Sequence, residues 1–133
     1  MEIIRNSRNF KDIDTLFDPH PFTKDLAVKK DEEAIKNALI NLINTRPYDR
    51  PFHPEISCQI HSLLFENFTP VTKAIAEKSV YDVLKKFEPR VDILEVVVST
   101  SKTDLNEMIV SVVFLYNNVS EPITISTALS RAR

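Results

Sequence analysis

Apolar residues recur at helical spacing between residues 31 and 44. They fall on one face of an amphipathic helix, and they are Ala34, Ile35, Ala38, Leu39, Leu42 and Ile43. Asp31 is a favourable N-cap, and Glu32 and Glu33 suit the positive end of a helix dipole. The pattern therefore predicts a first helix that ends near Asn44.

Two more helices are predicted before residue 90. Prolines at 47, 51 and 54 forbid regular structure between residues 47 and 54, and Pro54 then opens a short helix. Its buried positions are expected to be Ile56, Ile60, Leu63 and Leu64. Thr69 and Pro70 cap and open a third helix, and Pro89 ends it because the residue before a proline is driven out of helical geometry. The apolar set of the third helix is Val71, Ala74, Ile75, Val80, Val83, Leu84 and Phe87.

The last third of the chain alternates like a β-sheet. Strands are predicted at about 91–100, 107–116 and 122–128, with turns at residues 103–106 and from Asn117 and Asn118 onward. Helices followed by antiparallel strands predict an α+β fold, with two or three helices packed on one face of a small, mainly antiparallel sheet.

The first two strands are apolar at nearly every position. Strict alternation puts Leu94, Val96 and Val98 on one face of the first strand and Val91, Ile93 and Val97 on the other. It divides the second strand in the same way, with Met108, Val110, Val112 and Phe114 opposite Ile109, Val113 and Leu115. Either a partner covers the second face, or the N-terminal arm and the 45–54 loop wrap over it.

Composition narrows the class of protein. The 133 residues fit a single domain, with residues 1–24 as a peripheral arm and a short strand at 26–28. The sequence has no glycine, which excludes glycine-rich phosphate loops and the GxSxG elbow. Left-handed turn positions are therefore expected at Asn44, Asn67, Asn117 and Asn118. A net charge of −2 predicts neither a nucleic-acid nor a membrane partner, and a lone Cys58 suggests a reducing cytosol.

The sequence gives little support for a catalytic or metal site. The histidines match no metal-ligand spacing, and they are His20, His53 and His61. Cys58 and His61 lack a third orienting group, so a buried, inert thiol is expected. Glu66 and Glu88 are candidates for a glycosidase pair without a supporting motif. We expect no catalytic residue, metal or cofactor.

Glu88, Pro89 and Arg90 form a stiff joint between the third helix and the first strand. A proline-fixed corner can present a carboxylate and a guanidinium fork to another chain. The alternative is that Glu88 and Arg90 pair with each other, or with Arg46 or Arg50.

"FEPR" after an amphipathic helix, with "TRPYDRPFHPEIS" some forty residues earlier, resembles a known family. That family comprises the small baseplate wedge proteins of contractile-tailed phages, a lysozyme-like family that includes a baseplate component of type VI secretion systems. The resemblance spans roughly residues 20–120 and looks close to the T-even phage member.

The resemblance implies a non-enzymatic virion protein of the tail baseplate, assembled in the host cytoplasm. Glu88, Pro89 and Arg90 would engage a helical bundle of the large wedge subunits. The tail sheath protein would be bound by strand addition, and sheath assembly would start there. Other baseplate proteins are expected partners, and Arg46 and Arg50 would form a secondary contact or an internal brace.

The sequence departs from the family pattern at Tyr48 and Asp49, which replace Gly-Glu in the first motif. A left-handed turn at Tyr48 would strain that residue, so either the turn differs or Tyr48 packs on a neighbour. Two rival functions stay open, a tail-associated muramidase and a small cytosolic regulator with one partner.

Overall fold

The computed structural model describes residues 11–14, 16–25, 28–103, 106–116 and 120–131. The chain divides into two compact units, residues 1–38 and 39–133, and the boundary falls inside the first long helix. The organisation into one domain with a peripheral arm stays a prediction.

The first unit contains a short ladder. Strand β1 (Lys11–Ile13) pairs antiparallel with strand β2 (Val28–Lys30), with Lys11 opposite Lys30 and Ile13 opposite Val28. Strand β1 thus gives the arm regular structure that the sequence did not predict. The second strand reaches beyond residue 28, while residues 26 and 27 of the predicted strand lie outside the described residues.

Helix α1 (Glu32–Asn44) begins and ends where the apolar pattern predicted. The backbone N–H of Ile35 donates to the carbonyl of Asp31 at 3.1 Å, which closes the first turn. Leu39, Leu42 and Ile43, at the end of the helix that belongs to the second unit, are buried.

The segment after α1 corrects the prediction for the second helix. Helix α2 spans only Ile60–Leu63, and turns without regular structure occupy residues 54–59. The N–H of Cys58 donates to the carbonyl of Thr45 at 3.0 Å. Because this bond ties residue 58 back to the end of α1, the helical bond that would start at Pro54 does not form. Ile60, Leu63 and Leu64 are buried as predicted.

Helix α3 (Pro70–Phe87) has the predicted ends. The Thr69 hydroxyl accepts the N–H of Thr72 at 3.2 Å, and Pro70 occupies the first turn. The predicted buried face is partly wrong, because Val71 and Ile75 are 68% and 50% exposed. The buried row is Thr72, Ala76, Val80 and Leu84. Small side chains at the start of this row allow a close approach, and Thr72 tolerates burial because its hydroxyl donates to the Asn67 carbonyl at 3.0 Å.

Three antiparallel strands form the sheet of the second unit, in the order β3 (Val91–Thr100), β4 (Glu107–Tyr116) and β5 (Ile123–Ser130). Helix α3 packs against β3, and α2 contacts α3. The core face of β4 is as predicted, with Met108, Val110, Val112 and Phe114 all buried. The α+β prediction is confirmed, whereas the centres of both predicted strand connections, residues 104–105 and 117–119, lie outside the described residues.

A β-bulge in β3 corrects the predicted division of its faces. Ile93 lies opposite Phe114, but Val96 lies opposite Val112, so the register shifts between Ile93 and Glu95. Ile93 and Val96 therefore share the core face, together with the buried residues Val91 and Val98. Leu94 sits at the bulge with 54% of its surface exposed, so the second face of β3 is less apolar than strict alternation predicted.

Candidate interaction surfaces

The joint between α3 and β3 contains no loop. Glu88 caps the helix with φ −124° and ψ 77°, and its N–H donates to the Leu84 carbonyl at 2.9 Å. Pro89 is exposed at the corner, and β3 begins one residue after Arg90. Proline thus ends the helix and sets the direction of the strand within a single residue.

Glu88 and Arg90 form a bidentate ion pair across the proline. Arg90 Nε donates to Glu88 Oε1 at 2.5 Å, and Nη2 donates to Oε2 at 2.6 Å. The Glu88 side chain is only 6% exposed, whereas the Arg90 side chain is 31% exposed. The guanidinium thereby compensates the charge of the buried carboxylate, and the carboxylate holds the guanidinium in one orientation at the surface.

Of the pairings left open by the sequence, the structure contains the one between Glu88 and Arg90. Arg46 and Arg50 are exposed and have no side-chain hydrogen bond or ion pair among the described residues. Within this part of the chain they therefore do not pair with Glu88, and their expected role as a secondary contact or an internal brace stays a prediction. Whether Glu88, Pro89 and Arg90 contact a partner stays a prediction.

The left-handed turn positions differ from those expected. Asn44 and Asn67 do not have positive φ, but Tyr48 and Phe52 both have φ 68°. Asn117 and Asn118 lie outside the described residues. The turn at Tyr48 thus keeps a left-handed geometry without glycine, and the side chain is 84% exposed rather than packed on a neighbour.

Cys58 and His61 have separate partners. Burial raises the pKa of the Cys58 thiol, whose sulfur lies 4.0 Å from the Ser79 hydroxyl. His61 Nε2 lies 3.1 Å from the Ile43 carbonyl, so this nitrogen carries the proton and donates. A thiol held protonated, with the imidazole committed elsewhere, is a poor nucleophilic pair.

The other side chains considered as catalytic or metal-binding candidates are either exposed at the surface or engaged by a neighbour. Glu66 is exposed, whereas Glu88 is engaged by Arg90. His53 Nδ1 lies 3.0 Å from Glu55 Oε1 at the surface. The described part of the chain contains no cluster of His, Cys, Asp and Glu that could hold a metal ion. It also has no helix that is long and apolar enough to cross a membrane.

Among the described residues, no strand pairs with the outer side of β5, which is therefore an edge of the sheet, and its outward amides can be identified. The Val98 N–H donates to Glu77 Oε1 of α3 at 3.0 Å, so the polar groups of Val98 point away from β4. Hydrogen-bonding direction alternates along an antiparallel ladder, and Val98, Val110 and Thr127 are opposite one another. Thr127 therefore bonds to β4, and the neighbouring Ala128 N–H points to the free edge.

A second contact agrees with this assignment. The Arg131 N–H donates to the Asn106 carbonyl at 3.1 Å, so odd-numbered residues at this end face the sheet. The family resemblance led us to expect strand addition to the sheet, but the sequence could not show which amides face outward, because hydrogen-bonding phase depends on pairing between distant residues.

The sequence comparisons identify the family. The family model described as "Baseplate wedge protein gp25" matches residues 29–118, a range that contains both motifs. The chain belongs to this family. The baseplate wedge protein gp25 of Enterobacteria phage T4 is 39% identical over 75 residues, which is 56% of this chain and 57% of that protein. The match thus spans just over half the length of the T4 protein, and the expected likeness to the T-even member is confirmed.

Solved structures share the gp25-family fold at low identity. One chain is a candidate tail lysozyme of Geobacter sulfurreducens, with a TM-score of 0.68 and 20% identity over 77% of this chain and 92% of that one. Another comes from the cryo-EM structure of the anti-feeding prophage baseplate, with a TM-score of 0.64 and 18% identity over 90% of this chain and 84% of that one. These similarities establish the fold.

The stability of the chain is expected to fall below pH 6.5 because of His61. Burial lowers the pKa of His61 below its ordinary value of about 6.5, so the unfolded chain binds this proton more readily than the folded one. The stabilisation is fully present above that value and is lost as the pH falls through the folded-state pKa. Urea titrations at pH 7.5 and 5.5 should show a smaller loss in His61→Gln than in the unsubstituted chain. An equal loss in both proteins would mean that another group governs the acid side.

Proposed function

We propose that this chain is a structural component of a phage tail baseplate, where it joins wedge subunits and initiates assembly of the tail sheath. Its membership of the gp25 family carries the proposal, because both family motifs lie within the matched range. The proposed location is the virion baseplate, after assembly in the host cytoplasm. The proposed partners are the large wedge subunits, the sheath protein and other baseplate proteins.

The wedge contact is assigned to Glu88, Pro89 and Arg90. The geometry supports this role because Arg90 lies at a corner where no flexible loop separates α3 from β3, and Glu88 fixes the orientation of its guanidinium. A guanidinium that is oriented before binding loses less side-chain entropy when a carboxylate or a helix C-terminus meets it. The exposed 31% of the Arg90 side chain is the part available to a partner.

The sheath contact is assigned to the free edge of β5. An extended segment of a partner can add to this edge through main-chain hydrogen bonds. The opposite edge is less accessible, because Glu77 of α3 already accepts the outward N–H of Val98 on β3. The outward-facing residues of β5 are small or polar, as in Ser126 and Ala128, which keeps the edge open without exposing a large apolar strip.

The substitution Ala128→Pro is expected to abolish strand addition and leave the chain folded. It removes an outward N–H, and proline is tolerated on an edge strand at such a position. Thr127→Pro is the matched control, because it removes a donor to β4 and should lower the melting temperature. Co-sedimentation with polymerising sheath protein is the measurement. Normal sheath initiation by a folded Ala128→Pro chain would exclude this edge.

A muramidase is the alternative function, and it is favoured by the name of the Geobacter sulfurreducens structure. The glycosidase mechanism needs one carboxylic acid that can donate a proton, beside a second carboxylate. Here both oxygens of the buried Glu88 carboxylate already accept hydrogen bonds from Arg90, so this side chain is engaged within the chain and is poorly placed to act on a substrate. Turbidity loss of purified peptidoglycan, measured beside co-purification with wedge subunits, separates the two functions.

A further inference from the structure

Two successive turns in the proline-rich loop have the same backbone. The Asp49 N–H donates to the Arg46 carbonyl at 3.2 Å, and the His53 N–H donates to the Arg50 carbonyl at 3.3 Å. Each turn reads Arg-Pro-aromatic-polar, and each aromatic residue has φ 68°. These features are those of two type II β-turns in tandem. We call residues 46–53 the tandem-turn surface.

Both aromatic residues stand where a type II turn favours glycine. A non-glycine residue in this region is disfavoured by contact of its Cβ with the backbone. Tyr48 is 84% exposed and Phe52 is 96% exposed, so packing within this chain offsets little of the strain. Strained residues with large exposed side chains are typical of binding sites rather than of a stabilising core.

Arginines accompany the two aromatic residues. Arg46 and Arg50 are exposed and make no ion pair within the described part of the chain. The acid between them, Asp49, is occupied, because its Oδ2 accepts the Arg46 N–H at 2.9 Å. Asp49 keeps its negative charge, but two arginines outnumber it, so the tandem-turn surface is net positive whereas the whole chain has a net charge of −2.

A pocket of about 260 Å³ adjoins the first turn. Arg46 and Pro47 line it together with His61, Phe65 and Arg131, and none of its described lining residues is acidic. The Arg131 guanidinium carbon lies 4.8 Å from the centre of the Phe65 ring, which holds this cation at the pocket. Two arginines from distant parts of the chain therefore line one cavity, and none of the described residues around it contributes a carboxylate.

We propose that the tandem-turn surface and this pocket bind an acidic segment of a partner protein. A carboxylate of the segment enters the pocket lined by Arg46 and Arg131, and its apolar side chains pack on Tyr48 and Phe52. Charge complementarity selects the acidic segment, and the exposed aromatic rings supply contact area with few rotatable bonds. The proposal does not depend on the wedge contact of Glu88 and Arg90.

The test uses the full chain and a fluorescein-labelled peptide of twelve residues in which Glu and Leu alternate. The same peptide with Lys in place of Glu is the charge control, and a single-stranded dT12 oligonucleotide is the nucleic-acid control. The variants are Arg46→Ala, Tyr48→Gly and Phe52→Gly. Lys102→Ala serves as the matched control, because Lys102 is exposed and lies outside this surface. Binding is followed by fluorescence anisotropy, and melting temperatures are measured on the same samples.

The acidic peptide is expected to bind more tightly than the Lys peptide by at least tenfold. Each of the three variants should weaken binding of the acidic peptide by tenfold or more, and Lys102→Ala should leave it unchanged. The two glycine variants should keep or raise the melting temperature, because glycine relieves the left-handed strain. A purely structural role for the aromatic residues would instead lower it.

Three outcomes would overturn the proposal. The first is the absence of binding, or equal binding of the two peptides. The second is unchanged affinity in Arg46→Ala, which would remove the pocket from the account. The third is stronger binding of the oligonucleotide than of the acidic peptide, which would mean that the arginines and aromatic rings recognise a phosphate backbone and bases.

Discussion

Replacing Arg90 with alanine is expected to weaken binding to the large wedge subunits by at least about a hundredfold. An unpaired charge in a buried contact costs about 3–5 kcal/mol, and each 1.4 kcal/mol is about tenfold in affinity. In this variant the partner's group loses its donor, and the Glu88 carboxylate loses both of its hydrogen bonds from Arg90. The effect should appear mainly as faster dissociation of the complex, because loss of one member of a buried, hydrogen-bonded contact raises the dissociation rate more than it slows association.

The folded state of the Arg90→Ala chain should be weakened but retained. Glu88 is only 4% exposed, so its unpaired carboxylate destabilises the fold. The cost is about 2 kcal/mol, because removal of the partly exposed Arg90 side chain lets water reach the carboxylate. Arg90→Lys is the matched control, since it keeps a cation beside Glu88 but loses the planar fork. It should nearly preserve stability in urea titrations and still lose wedge affinity. If Arg90→Ala is unfolded on its own, the pair is an internal brace and the contact is wrong.

Replacing Phe114 with alanine is expected to lower the free energy of unfolding by about 3–5 kcal/mol. Phe114 is fully buried at the centre strand of the sheet, between Ile93 on β3 and Ile123 on β5. Removing its ring leaves a cavity that three paired strands cannot close. Because domains of this size are stable by about 5–15 kcal/mol, the variant should sit near the limit of folding at 37 °C.

Leu94→Ala is the matched control for this prediction. Leu94 is as apolar as the core residues, but it lies at the bulge with 54% exposure, so its loss should cost less than about 1 kcal/mol. Urea unfolding followed by circular dichroism measures both variants. Equal losses for Phe114→Ala and Leu94→Ala would mean that strict alternation is right and that the register shift in β3 is absent.

Helix ends were predictable because their signals are local. Thr69 and Pro70 open α3 in the structure as in the sequence, and Glu88 caps it just before Pro89. Capping and proline geometry depend on neighbours within a few residues, so no tertiary information is needed. Pro54 failed as a helix start because a longer-range bond, from the Cys58 N–H to the Thr45 carbonyl, held the segment in turns.

The bulge in β3 had a signal in the sequence that strict alternation ignores. Asp92 and Glu95 are both exposed although they are separated by an odd number of residues. Two solvent-facing charges at that spacing indicate a change of phase between them. The pocket at Arg46 and Arg131 had no such signal, because it depends on the end of β5 lying near the loop after α1.

The sequence could predict a stiff joint between α3 and β3 at Pro89, but it could not predict how the Glu88 and Arg90 side chains pair. The sequence places a carboxylate and a guanidinium on either side of Pro89, and this spacing allows either a mutual pair or two outward contacts. Burial decides between them, since Glu88 turns inward while Arg90 remains partly exposed. Burial depends on how α3 packs against β3, which no local pattern specifies.

The most direct test is the affinity of the full chain for purified large wedge subunits, compared with those of Arg90→Lys and Glu88→Ala/Arg90→Ala. Peptidoglycan hydrolysis is assayed on the same preparations. We predict tight binding by the unsubstituted chain, loss of at least about a hundredfold in the double variant at retained circular dichroism, and no hydrolysis. Unchanged wedge affinity in the folded double variant, or hydrolysis by a chain that does not bind wedge subunits, would contradict the account.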